Sequence, residues 1–175
     1  MICQVQREFD VTQRNTDIVQ AWTMVFLLSN QRTGLKFAAT QLATSFSSIR
    51  VTHDSWMAKV KNKPFLSVIW FGNPHGPHIG TEKFLKMYQG ETKAYANFYA
   101  EITGMDAAMG QLREGLRRLG VADNTILWYC SDNGGLKPNS MAGLSGKKGK
   151  LLEGGIRVPG IIEWPDVIKK HRITN

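Results

Sequence analysis

Eight apolar residues, Tyr95, Phe98, Ile102, Met105, Met109, Leu112, Leu116 and Leu119, follow one another in alternating steps of three and four. An α-helix places residues at that spacing on one face, so the pattern predicts a helix from about Glu91 to Leu119 with a continuous apolar stripe. Gly120 supplies a C-terminal stop, and Arg117-Arg118 stand where the negative end of the helix dipole favours cations. Gly104 and Gly110 lower the local propensity without interrupting the stripe. All eight stripe residues are expected in the core.

The flanks of this helix say what it packs on. Upstream, Pro64-Phe65-Leu66-Ser67-Val68-Ile69-Trp70-Phe71 is apolar on both faces and is closed by Gly72-Asn73-Pro74, the pattern of a strand inside a layered protein. Downstream, Thr125-Ile126-Leu127-Trp128-Tyr129-Cys130 reads as a second buried strand after a short turn. Strand, long helix, strand is the crossover unit of an α/β fold and predicts parallel strands. Val158–Pro165 reads as a third, shorter strand ended by proline. Residues 1–63 are less informative: Ala21–Leu28 fits a buried strand or a short helix, and Gly34–Ile49 keeps no clean period.

Composition narrows the class. Hydrophobic residues at 42% and charged residues at 21% belong to a chain that folds rather than a disordered one. Cys3 and Cys130 are too few for a disulfide framework and too far apart for a CxxC motif. No apolar run approaches the ~20 residues that span a bilayer, so no membrane-spanning segment is expected. The net charge of +8 is uneven, with 8 basic against 3 acidic residues in 136–175 and a nearly neutral middle. That tail lacks a recognition helix or a base-stacking pattern, so no nucleic-acid partner is expected.

Polar residues cluster after the strands, where ligands gather in open α/β sheets. His75 and His78 lie in the Gly/Pro loop after the first strand; a histidine there can exchange protons near neutrality or face an anion. Asp132 and Asn133 follow the second strand and admit two readings. They are either turn residues or oxygen ligands for a hard divalent cation, which needs about 6–8 such oxygens. Beyond them, 8 of the 17 glycines fall between Gly134 and Gly160, in a loop that also holds Lys147, Lys148 and Lys150. It is not a P-loop, because Leu144 and Leu151 occupy the required Gly and Ser/Thr positions. A cationic loop beside a metal site suits a small tetrahedral dianion.

Three stretches then resemble one family. They are PFLSVIWFGNPHGPH (64–78), YAEITGMDAAMGQLREGLRRLGVADNTILWYCSDNGG (99–135) and GLSGKKGKLLEGGIRVPGIIEWP (143–165). Together they resemble the sulfatases of the alkaline-phosphatase-like superfamily over residues 64–168. The resemblance implies a partial α/β sandwich with a mostly parallel sheet and flanking helices. It also implies a sulfuric ester hydrolase using a formylglycine nucleophile and a divalent cation, usually Ca²⁺. By the same resemblance His75 and Lys148 are the catalytic, sulfate-facing residues, and Asp132 and Asn133 are metal ligands. Glu153, Gly154, Gly155 and Arg157 shape the loop, while Lys147 and Lys150 are auxiliary. The expected partner is a small-molecule or carbohydrate sulfate ester.

The departures carry their own expectations. Family members bear paired aspartates on a first strand, then Cys/Ser-x-Pro-x-Arg, then Gly-Lys-x-His, and none of these is intact here. Cys3 and Arg7 have the family spacing, but Val5 replaces the proline, so no formylglycine is expected in this chain. Residues 1–63 are expected to stand outside the family pattern, and 64–175 to form the C-terminal half of a truncated catalytic domain that is inactive alone. The alternatives are a phosphodiesterase or phosphonate hydrolase of the same superfamily, or a non-catalytic anion-binding or poorly folded fragment. Many family members are exported, yet no signal peptide is read in these residues, so no destination is assigned.

Overall fold

A computed structural model describes residues 23–29, 38–43, 62, 64–136 and 142–173. The Cys3–Arg7 segment lies outside the described residues. Five strands form one sheet: β1 (Thr23–Ser29), β2 (Ala38–Ala43), β3 (Phe65–Phe71), β4 (Thr125–Ser131) and β5 (Gly160–Glu163), in the order β2-β3-β1-β4-β5. Among the described residues three α-helices accompany them: α1 (Glu82–Leu85), α2 (Lys93–Arg118) and α3 (Glu153–Ile156).

The period-two pattern of the strands sorts their side chains by face. Phe65, Ile69 and Phe71 of β3 and Leu127 of β4 pack with Met105, Ala108, Leu112 and Leu116 of α2. The alternate residues Val68 and Cys130 are buried on the other face, with Leu66, Trp70 and Trp128 against them. Both faces of β3 and β4 are therefore covered, which is why their sequences are apolar throughout. The segment left open between strand and helix upstream contains β1, the middle strand of the sheet.

The mostly parallel sheet expected from the sequence is not what these residues form. Only β2 and β3 pair in parallel; β1 is antiparallel to both β3 and β4, and β5 is antiparallel to β4. The crossover itself is present, since β3 and β4 run the same way and α2 joins them. It skips one position, and β1 fills that gap in the reverse direction. A local apolar pattern gives strand identity, but which strand enters between two others is decided by a distant part of the chain.

Helix α2 also corrects the stripe. Met105, Leu112 and Leu116 are buried, but Ile102 is 37% exposed, while Ala96, Ala100 and Glu101 are buried in its place. The cause is a change of neighbour along the helix. Its C-terminal half rests on the sheet, whereas its N-terminal half meets the loop at 78–80, where Gly80 approaches Ala100 so closely that a Cβ would stand 2.6 Å from the alanine's own. Thr92 caps the helix by accepting from the Tyr95 N–H.

Candidate functional site

The sheet register brings two strand ends together. Phe71 and Ser131, the last residues of β3 and β4, both lie opposite Thr23 of the strand between them. The loop bearing His75 and the turn bearing Asp132 and Asn133 thus leave the same end of the sheet.

The Asp132–Asn133 turn is closed by its neighbour. Ser131 Oγ donates to the Asn133 carbonyl at 3.1 Å. Among the described residues neither the Asp132 carboxylate nor the Asn133 amide enters a hydrogen bond or ion pair. Both side chains are half-buried and keep their oxygens uncommitted. That chemistry fits a hard cation, for which these two would be part of the ligand set. No group of three His, Cys, Asp or Glu side chains that could hold a metal occurs among the described residues.

Lys148 reaches this turn through backbone contacts. Its N–H donates to the Gly135 carbonyl at 2.9 Å, and the Gly134 N–H donates to the Gly155 carbonyl at 2.9 Å. The loop then folds back on itself, with the Gly154 N–H donating to the Ser145 carbonyl at 2.7 Å. Such close approach leaves no room for side chains. A Cβ on Gly134 would be driven into the Gly154 carbonyl, and one on Gly155 into the Lys150 carbonyl. Gly146 and Gly149 turn the chain with φ of +86° and +84° around the lysines. Arg157 and Glu153 form an exposed ion pair at 3.6 Å that spans α3.

His75 is partly exposed, and its Nδ1 lies 2.7 Å from the Gly76 carbonyl. A carbonyl only accepts, so Nδ1 carries the proton and Nε2 is left for a ligand. The His78 ring is held differently, by the α2 carboxylate of Glu101 at 2.8 Å. Glu101 and Asn97, which supports Gly80, were not visible as site residues in the sequence. The available signal was a carboxylate set beside Ala100 on the face marked by Ala96 and Ala108. A cavity of about 280 Å³ lies at the other end of β4, lined by Arg113, Asp123, Thr125 and Glu163 among others, and none of the candidate residues borders it.

The sequence profile of the sulfatase family matches residues 28–175. The chain belongs to the sulfatase family. It is 34% identical over 131 residues to human arylsulfatase H, covering 69% of this chain and 22% of that protein. With rat steryl-sulfatase it shares 33% identity over 146 residues, covering 75% and 24% respectively. The crystal structure of Ps i-CgsB in complex with k-i-k-neocarrahexaose superposes with a TM-score of 0.61 at 28% identity, covering 69% of this chain and 28% of that one. The fold is accordingly the α/β architecture of the alkaline-phosphatase-like proteins. The sulfatase match begins at residue 28, within β1, and so reaches upstream of Pro64. The chain spans about a quarter of the length of the relatives it matches.

Proposed function

We propose that the chain supplies one side of a site that hydrolyses sulfate esters of aryl or carbohydrate alcohols. The observation that carries this reading is the fastening of the Lys148 loop onto Gly134-Gly135. It ties the backbone of Lys148 to the turn that follows Asp132 and Asn133, whose side chains enter no hydrogen bond or ion pair among the described residues. In this reading Asp132 and Asn133 hold a divalent cation, with Ca²⁺ the expected ion, which would offset negative charge on the sulfate oxygens. Lys148 faces the same dianion from the glycine-rich side. His75, whose Nδ1 donates to the Gly76 carbonyl, donates from Nε2 to the sulfate or to the leaving oxygen in its imidazolium form, in which both ring nitrogens carry protons. Residues 64–175 are taken as the part of the catalytic domain that carries these groups.

The nucleophile is a separate matter. Formylglycine in this family derives from Cys/Ser-x-Pro-x-Arg, and no such sequence occurs in the 175 residues. Positioning a nucleophile against the reacting atom accounts for much of enzymatic rate, up to roughly 7–11 kcal/mol. The 175-residue chain is therefore expected to bind sulfate in the presence of Ca²⁺ and to turn over an aryl sulfate no faster than buffer. Calorimetric titration with sulfate at fixed Ca²⁺ checks the first point. Lys148→Ala should weaken binding by about tenfold or more, the cost of one charge-assisted hydrogen bond. Asp132→Ala should remove the dependence on Ca²⁺. Equal sulfate affinity in all three proteins, with or without the ion, would sink the reading.

A further inference from the structure

The loop that carries His75 is held from the long helix, and the holding group is unusual. Glu101 is the one charged side chain that is buried among the described residues, with its side chain 5% exposed. A carboxylate in such a place is strongly disfavoured unless its oxygens are bonded. Both are. Oε1 accepts from the Ile79 N–H at 2.9 Å, and Oε2 meets His78 Nδ1 at 2.8 Å. Since the ionised carboxylate only accepts, His78 carries its proton on Nδ1. The Phe98 ring stands edge-on to the imidazole at 5.1 Å, closing another side. Asn97 completes the grip: its Oδ1 accepts from the Gly80 N–H at 2.8 Å while its Nδ2 donates to the Lys93 carbonyl at 2.7 Å.

One turn of α2 thus fixes three consecutive residues, His78, Ile79 and Gly80. At the other end of the loop the His75 N–H donates to the Gly72 carbonyl at 3.2 Å, directly after β3. His75 therefore stands on a short span tied down on both sides, and the downstream tie is a buried carboxylate that accepts from both His78 and Ile79. We infer that Glu101 is a positioning residue, acting through His78 and Ile79 to set where His75 presents Nε2. The inference rests on the reading of His75 as sulfate-facing. It assigns the carboxylate a purpose that the stripe of α2 does not need.

The test uses the ¹⁵N-labelled 175-residue chain and long-range proton–nitrogen spectra of the imidazoles, recorded at a pH where the histidines are neutral. His75→Ala and His78→Ala variants assign the signals. The wild-type protein should show the Nδ1–H form at both His75 and His78, the reverse of the balance in a free imidazole. In Glu101→Ala, His78 should lose that preference, and His75 should lose it too although Glu101 does not touch it. Backbone amides of Met105–Leu116 should stay in place, which shows that the change at His75 comes from the loop and not from a disturbed helix. Glu101→Gln keeps one acceptor oxygen and should give an intermediate His75 signature; it decides the matter alone if the alanine variant does not fold. A wild-type His75 signature in a variant whose His78 has been released overturns the inference, as does an Nε2–H form of His78 in the parent chain. Sulfate titration separates this from the proposed function. Glu101→Ala should weaken sulfate binding by about tenfold or more. A parent chain that binds no sulfate removes the sulfate-facing role of His75 and leaves the spectra to decide the role of Glu101.

Discussion

At the residue scale, the same substitution should have opposite consequences at two glycines. Gly110 lies inside α2 with no atom within 4 Å of where a Cβ would stand, so an alanine there meets no neighbour. Gly110→Ala should raise stability by roughly 0.5–1 kcal/mol, because glycine in a helix interior loses more backbone entropy on folding. Gly134→Ala forces a methyl into the Gly154 carbonyl and must push the loop off the strand end. Overpacking of this kind costs about 1–3 kcal/mol, and here it also strains the loop whose Lys148 N–H donates to the Gly135 carbonyl. Urea denaturation of the two variants reads both signs, and sulfate titration should show a loss only for Gly134→Ala. A stabilised Gly134→Ala chain that still binds sulfate would show that the loop has slack. From the sequence, a glycine-rich loop was legible at 134–160. Which glycines are obligatory was not, because Gly134 meets Gly154 across 20 residues and the clash exists only in the folded packing.

At the element scale, α2 does two jobs with its two halves. The sequence placed it at about 91–119, within two residues of Lys93–Arg118, because three-four spacing is a local property. The orientation of its first half was not legible, since a loop rather than the sheet lies beneath it. The difference can be measured. Leu112→Ala removes a side chain 2% exposed in the main core and should cost about 2–5 kcal/mol. Ile102→Ala, equally part of the stripe by spacing, should stay within about 0.5 kcal/mol because the residue is already 37% exposed. Equal losses in chemical denaturation would restore the single continuous stripe. The helix is also pinned sideways to β5: Arg113 Nε and Nη2 donate to the two Glu163 oxygens at 2.6 and 3.0 Å. The Glu163 hydrogen bond holds the Arg113 pKa above its ordinary value, against the opposing effect of burial. A raised basic pKa gives stability that is present below the unfolded value and lost only as pH climbs past the folded one. From the arginine, then, the bridge adds no pH dependence anywhere near neutrality. Both partners are about a third or more exposed, so Arg113→Ala should cost only about 1 kcal/mol or less.

At the scale of the whole molecule, the crossover from β3 through α2 to β4 was readable as soon as the helix was. The reversed strand β1 between them was not. Its consequence is a sheet whose last strand, β5, pairs with β4 on one side and has no partner strand on the other among the described residues. β5 is also thinly covered, with Ile161 59% and Ile162 47% exposed. Close to it in sequence, Leu151 is 93%, Val167 56% and Ile173 83% exposed. An apolar edge strand with free backbone donors and acceptors is a template for pairing with another chain, and natural edges are usually blunted by charge or proline. Pro159 and Pro165 bracket β5, but no charge interrupts Gly160-Ile161-Ile162. Sedimentation velocity of the 175-residue chain should therefore show association that grows with concentration in the micromolar range where exposed edges assemble. Ile161→Lys with Ile162→Lys should suppress it, since two like charges on adjacent copies repel across a shared edge. Both side chains are largely in solvent already, so far-ultraviolet circular dichroism and the urea midpoint should change little. A parent chain that stays monomeric through that range, or a double variant that associates as before, would place the contact elsewhere than β5.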